Sequence, residues 1–414
     1  MDKSESQSNS GSTRSTIHRL FSNFDFVRFL VLGSGNVLGT SMLNVAVGWH
    51  VYLLTGSVLN LGLIGLAQFL PIFFLFPVAG LAADRFDRRF IVALCSALDG
   101  LGALGIGLLL LADVDSVWPL YALLIFHGAA RAFAQPARQA ILPNLVPRDI
   151  FSNAIALSVS VAKVGQLAGP ALGGVLIALI DKQTYFVSAS LFGVAMIAAY
   201  FIKTPLRVTG QEPFTVGMFL GGFKHIWREK VVLSSISIDL VAVLFGGVMG
   251  LLPVFAVDIL QVGPEWLGAM RATPALGAVF IALLLARIGL PWPVGATFFI
   301  SLIIFATSIL VFSLSTSLWL SLGALAIYGA SDMISVYVRQ TLVQLKTPDS
   351  LRGRVSAVNS VSINASNELG DFRAGSMAAL LGTVPAVAIG AGMTLLATML
   401  WWKWFPQLRA LRQI

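Results

Sequence analysis

Gly80-Leu-Ala-Ala-Asp84-Arg85-Phe-Asp87-Arg88-Arg89 is the stretch whose reading decides the fold of this chain. Its charges arrive directly at the end of a long apolar run, Asn60 to Ala83. Charge packed this tightly cannot sit in hydrocarbon. It marks a membrane helix leaving on the side that collects Arg and Lys.

Composition agrees with that reading. Of 414 residues, 57% are hydrophobic and only 11% charged, with a mean hydropathy of +0.86. A soluble domain carries about a quarter charged residues, so lipid is the main solvent here. Six blocks lie on each side of a central polar linker, each with at least ~18 predominantly apolar residues, enough for a spanning helix. The spans are expected near 27–54, 59–83, 90–111, 118–141, 154–180 and 185–202, then 231–257, 267–286, 292–314, 318–345, 355–381 and 384–404. Runs this long exclude an outer-membrane barrel, whose strands alternate. The expected class is an all-α integral membrane protein of twelve transmembrane helices in two pseudo-symmetric six-helix bundles, 24–203 and 231–405. Disordered or polar segments complete it: a Ser-rich tail at 1–23, a linker at 204–230 and a tail at 406–414. Cys95, alone in a span, forms no intrachain disulfide. The polar first residues lack an apolar core, so no cleaved signal peptide is expected.

Basic residues set the orientation. Arg85, Arg88, Arg89, Arg148, Lys203, Arg207, Lys224, Arg228, Lys230, Lys346, Arg352 and Arg354 all fall in alternate loops, while the opposite loops hold only Lys182. That asymmetry places both termini in the cytoplasm. The basic pI therefore reflects topology, and no soluble domain exists to present a nucleic-acid surface.

An internal repeat runs through the chain at an offset of 201, with Arg138-Gln139 on Arg339-Gln340, Pro147 on Pro348, Gly169 on Gly370 and Gly174 on Gly375. In the linker, Phe214, Met218, Phe219, Phe223 and Trp227 recur at helical spacing among Lys224, Arg228 and Lys230. This reads as an amphipathic helix on the cytoplasmic leaflet.

Gly80-x-x-x-Asp84-Arg85-x-x-Arg88-Arg89 resembles the short loop between the second and third helices of the major facilitator superfamily. That resemblance implies a cytoplasmic latch in which Asp84 accepts hydrogen bonds from the start of the eleventh span, near Arg354 and Ala357. Asp87 stands where Gly is usual, a form frequent among exporters. Gly165-Gln-Leu-Ala-Gly169-Pro170-Ala-Leu-Gly173-Gly174 resembles the antiporter motif of facilitator exporters, whose kinked fifth helix packs on the eighth; generic small-residue packing is the alternative. The segments Arg131 to Pro147 and Asn367 to Gly375 are similar to the enterobactin exporter and drug:proton antiporter branch, which handles siderophores and hydrophobic drugs.

Several charges lie within the spans. Asp99, Arg131, Lys163, Asp239, Arg271, Asp332, Glu368, Asp371 and Arg373 each cost several kcal/mol if left facing lipid, so they face a cavity or one another. Asp239 and Asp332 with Arg131 are the expected proton-coupling residues, the repeat register suggesting an Arg131–Asp332 pair. Arg138, Arg339, Glu368, Asp371 and Arg373 are the expected cytoplasmic gate, with structural pairing as the alternative. Asn36, Asn44, Trp49, Gln68, Gln166 and Trp266 are candidate pocket residues; Trp401, Trp402 and Trp404 read as an interfacial belt. His50 and His127 read as helix hydrogen-bonding groups, not metal ligands. No Walker loop, serine elbow or metal cluster is present, which disfavours an ATP-driven pump or an enzyme and implies no cofactor. The expectation is a monomeric exporter in a bacterial inner membrane that expels a small amphipathic molecule against protons. An uptake symporter, or a lipid-handling protein or enzyme without ion coupling, remains the alternative.

Overall fold

The computed structural model describes residues 18–204, 216–290 and 293–412, apart from the side chains at 76, 77, 84, 216–220, 349, 350 and 357. Among the described residues the regular structure is all helical. The long helices are α1 (Phe24–Thr55), α2 (Val58–Arg85), α3 (Arg88–Leu111), α4 (Trp118–Leu145), α5 (Phe151–Ile180) and α6 (Thr184–Tyr200). A linker helix (Val216–Arg228) leads into α7 (Lys230–Gly246), α8 (Pro264–Ile288), α9 (Val294–Leu314), α10 (Leu318–Lys346), α11 (Asp349–Leu381) and α12 (Thr383–Trp404). Turns are tight where the sequence permits them. Gly56 adopts a left-handed φ of 59° and returns its N–H to the Tyr52 carbonyl, so α2 begins two residues later.

Nine stretches of described residues are long and apolar enough to cross a membrane, and one of them, 148–200, contains both α5 and α6. α4 and α11 fall outside this set. They carry His127, Arg131, Gln135 and Arg138, and Asn359, Asn367, Glu368, Asp371 and Arg373. Such groups are tolerated at membrane depth only when turned toward protein or a polar cavity; His127 and Asn359 are buried, and Asn367, Glu368 and Asp371 line a cavity.

The repeat has a physical counterpart in the packing. α1 packs on α5 and α6, α2 on α4, and α3 on α4 and α6; α7 packs on α11 and α12, α8 on α10, and α9 on α10 and α12. Each pairing in the first set is matched, helix for helix, by one in the second. The glycines show it at atomic scale: a Cβ on Gly169 would lie 2.6 Å from the Ser41 Cβ of α1, and one on Gly370 would lie 2.9 Å from the Val243 carbonyl of α7.

The α2–α3 and α4–α5 turns and the linker helix lie at one end of the molecule, called proximal here; the α1–α2 turn and the α5–α6 turn lie at the other, distal end. The two sets of helices meet mainly through α2 on α11 and α5 on α8. A Cβ on Gly375 would lie 2.7 Å from the Gly62 Cα, and one on Gly174 would lie 2.8 Å from the Gly268 Cα. Gly62 and Gly268 are within a turn or so of the distal starts of their helices, so this contact is a distal one. Tyr52 adds a hydrogen bond from its hydroxyl to Asp258 across the same seam.

Four expectations change. The end of the N-terminal tail is ordered, since residues 18–22 are helical, Leu20 is buried, Arg19 pairs with Asp149 at 2.9 Å and Asn23 caps α1; residues 1–17 lie outside the described residues. The seventh span is not continuous. It stops at Gly246 and resumes as short turns, Met249–Leu251, Leu252–Val254 and Phe255–Ile259. The linker helix does more than lie flat, because Ile226 is buried with Val355 and Val358 of α11 and a Cβ on Gly222 would lie 2.8 Å from the Arg354 carbonyl carbon. Its Phe223 and Trp227 stay exposed and stacked on one another; Phe214 and the side chains of Met218 and Phe219 lie outside the described residues. Trp401 is packed inward, donating to the Ser237 hydroxyl at 3.0 Å, which leaves Trp402, edge-on to Phe299, and Trp404 as the exposed belt residues.

Candidate functional site

Pro136 and Pro143 lie inside α4 and Pro170 inside α5, each of which stays one continuous helix, whereas a break at Gly246–Gly247 interrupts the seventh span. That break leaves backbone amides without helical partners. The Gly250 N–H is instead donated to Asp371 Oδ1 at 3.0 Å. Gly247 sits where α11 crosses, since a Cβ there would lie 3.0 Å from the Gly370 carbonyl carbon. The Gly246-Gly247 pair was the legible signal of this break, and it is missing from the site residues read from sequence.

Beside it is a cavity of about 130 Å³ lined by residues that include Asn44, Gln68, Arg271, Asn367, Glu368 and Asp371. Arg131 of α4 reaches across its head, 3.5 Å from Glu368 of α11 and 3.1 Å from the Gln68 amide oxygen. The expected partner of Arg131 was Asp332; the partner found is Glu368. The repeat register places residues at equivalent depths but does not turn them toward each other, and α11, not α10, lies against α2 and its neighbours. Arg271 was noted in sequence only as a buried charge. It donates to the Met249 carbonyl at 3.3 Å, and its Nε is buried without a hydrogen-bond partner.

A second cluster sits inside the other half. Arg339 of α10 lies 3.2 Å from Asp239 of α7 and donates to Asn359 of α11 at 3.0 Å, with Ser335 next to the same carboxylate. Both ions are almost fully buried, with side-chain exposures of 3% and 5%. Asp332, two turns before Arg339, has no ion-pair partner within 4 Å among the described residues and is partly exposed. Lys163 of α5 is within electrostatic reach of it and donates to Gln166 at 3.0 Å.

The expected cytoplasmic gate is therefore split. Arg339 and the half-buried Arg138 lie in the proximal parts of α10 and α4, but Glu368, Asp371 and Arg373 lie in the distal part of α11, roughly 30 Å along the helix from its start by the helical rise. Arg373 does not pair with Asp371. It donates to the Phe245 carbonyl at 2.7 Å and lies over the Phe245 ring, so it caps the end of α7 before the break. Trp49 belongs to the core, Trp266 stacks edge-on with Trp319, and Asn36 accepts from Ser96. Asn44 and Gln68 are the pocket candidates the cavity includes.

The charged turn is built differently from a simple anchor. Arg88 is buried and donates to the carbonyls of Ala83 and Ala140 at 3.1 Å each, so it ties α2 to α4. Asp87 accepts from the Arg89 N–H and caps α3, and the Arg89 guanidinium beside it holds its carboxyl below the usual range. Arg89 also donates to the Ile202 carbonyl at the end of α6. Gly80 lies in the last turns of α2 and Arg85 is exposed; the Asp84 side chain lies outside the described residues.

The glycine motif of α5 has two faces. Gly165, Gly169 and Gly173, spaced by four, lie against Val37, Ser41 and Met42 of α1, within the same half. Pro170 and Gly174 lie against Gly268 of α8, across the seam. Packing on the eighth helix is thus done by half of the motif only. Gly169→Leu is expected to reduce folded yield and thermal stability in detergent, since overpacking costs about 1–3 kcal/mol or more. A wild-type melting temperature would contradict that placement.

His127 Nδ1 lies 2.8 Å from Asp99 Oδ1, and His50 contacts Asp181 at 3.0 Å and Tyr185 at 3.1 Å. Among the described residues no group of three or more His, Cys, Asp or Glu is placed to hold a metal ion.

These features can be set against known proteins. The sequence profile of the family described as transmembrane secretion effector matches residues 25–412. The chain belongs to this family of the major facilitator superfamily. It is a multi-pass membrane transporter, and its relatives are transporters, not enzymes. The enterobactin exporter EntS of Escherichia coli O1:K1 is 24% identical over 377 residues, which cover 88% of each chain. The fold is that of the nucleoside transporter NupG, with a TM-score of 0.72 at 13% identity over 92% of this chain and 99% of the other. A bacterial homolog of the lysosomal transporter Spinster, solved inward-facing and unoccupied, gives 0.72 at 15% identity over 93% and 95%.

Proposed function

We propose that this transporter is a secondary exporter of a small amphipathic molecule, a siderophore or a hydrophobic drug, driven by proton antiport. Twelve transmembrane helices form two pseudo-symmetric bundles, 24–203 and 231–405, joined by the linker 204–230. The protein works as a monomer in a bacterial inner membrane with both termini in the cytoplasm. The distal seam is the outer gate, and the two halves rock about the cavity to expose it alternately.

The Arg131–Glu368 bridge carries this reading. It is an ion pair between the halves at the head of a polar cavity, so changing its charge changes how firmly the outer gate closes. Glycine-on-glycine contacts at Gly62/Gly375 and Gly174/Gly268 let the gate close without interlocked side chains, which suits a contact that must part and re-form. Likeness to the enterobactin exporter supports export as the direction. Asp239 and Asp332 are the proton carriers in this scheme, Arg339 and Arg138 line the inner side, and Asp84 is the inner latch when the outside is open.

Expression in cells is expected to lower their content of an exported siderophore or fluorescent drug, and a protonophore to restore it. Content that rises on expression would mean uptake, and content that does not change would contradict transport of that class. Asp84→Asn is expected to preserve insertion and abundance and to slow efflux several-fold, because Arg88 and Arg89 keep their own carbonyl and Asp87 partners. Wild-type efflux from a normally expressed Asp84→Asn protein would sink the latch.

A further inference from the structure

The polar group left over by this account is His127. It is 4% exposed, its Nδ1 lies 2.8 Å from Asp99, and its Nε2 is buried without a hydrogen-bond partner. A carboxylate can only accept, so the shared proton sits on Nδ1 and Nε2 carries a free lone pair. We propose that the Asp99–His127 dyad is a proton-holding element that strengthens closure of the outer gate when a proton occupies His127 Nε2. The proposal rests on the antiport reading above and names the group that would connect a proton to the gate.

The surroundings fix the sign. Arg131 is one turn further along α4, and Glu368 of α11 lies within electrostatic reach of the imidazole. α3 contributes Asp99 and, a turn away, Cys95; α2 contributes the uncharged Gln68; α6 contributes the Phe192 ring, edge-on at 6.2 Å. Glu368 is the group here from the second half. Added positive charge on α4 therefore attracts the second half toward the first, and Asp99 offsets the cost of placing that charge in the interior. A proton taken from outside would favour closing the outer gate and opening inward. Its loss to the cytoplasm would relax the gate, as an antiport cycle requires.

Histidine is suited to this task because its proton affinity lies in the physiological range. His127→Gln and Asp99→Asn should be compared with wild type in everted vesicles, with uphill efflux followed across pH. Wild-type efflux is expected to change about tenfold between roughly pH 6 and 8, and both variants about two- to threefold less than that at comparable abundance, the remainder being carried by Asp332. A wild-type pH profile in either folded variant would overturn the dyad while leaving antiport intact. Efflux with no proton dependence in wild type would instead overturn antiport, and the dyad with it. Should both variants fold poorly, hydrogen–deuterium exchange at the histidine C2 of the unmodified protein reads the same proton. His127 is expected to titrate, and its midpoint to move in Glu368→Gln. Absence of titration between about pH 5 and 8 would overturn the proposal.

Discussion

Asp332→Asn is expected to abolish uphill efflux, by tenfold or more on the usual scale of coupling, while downhill exchange of substrate continues. Asp332 lies on α10 without an ion-pair partner among the described residues, so a proton can cancel its charge without breaking a built contact. Lys163 on α5 of the other half is within its electrostatic reach. Gain or loss of a proton at Asp332 therefore changes the attraction between the halves. Asparagine keeps the shape and removes the charge change. Asp239→Asn is expected to behave differently, because Asp239 neutralises Arg339 in a buried pair. Removing one partner of such a pair costs about 3–5 kcal/mol, so abundance falls along with transport. Sequence reasoning treated the two aspartates as equivalent; the pair separates them. Full pH-driven efflux in a folded Asp332→Asn protein would place the coupling elsewhere.

Gly174→Leu is expected to disable transport while leaving each half folded. Its Cβ would meet the Gly268 Cα at 2.8 Å across the seam. Overpacking of about 1–3 kcal/mol falls here on closure of the outer gate, not on folding of a bundle. That is roughly a 5- to 150-fold shift toward the outward-open state. The contrast with Gly169→Leu, five residues earlier but facing α1, makes the comparison specific. Accessibility of engineered distal cysteines should rise in Gly174→Leu at normal abundance. If Gly174→Leu transports normally, α5 and α8 do not form the gate.

Much of this was legible in the sequence, and the limits have physical causes. Long apolar runs and the positive-charge asymmetry define membrane helices because lipid tolerates little else. The 201-residue offset sets Gly169 on Gly370, and in the fold these two make matching contacts, on α1 and on α7. What the sequence could not give is the direction a charged side chain faces once helices from two halves are juxtaposed. Arg131 therefore went to Asp332 in the reading and to Glu368 in the fold. Gly165, Gly169, Gly173 and Gly174 read as one motif, yet a spacing of four sends three of them to one neighbour and the next residue to another. Arg88 reads in sequence only as a positive-inside charge and a member of the latch motif, because nothing local reveals the carbonyls of Ala83 and Ala140 that it caps. The Gly246-Gly247 pair was the local signal of the break after Gly246, but nothing local reveals that Asp371 of α11 accepts the Gly250 N–H beyond it.

Proton-driven export is the central claim, and everted membrane vesicles test it directly. With an imposed acid-inside gradient, vesicles carrying the protein are expected to accumulate a siderophore or hydrophobic drug in the lumen, to lose that accumulation when a protonophore collapses the gradient, and to alkalinise the lumen as substrate enters. Lumenal substrate that stays at the level of vesicles lacking the protein, with or without the gradient, would contradict the account.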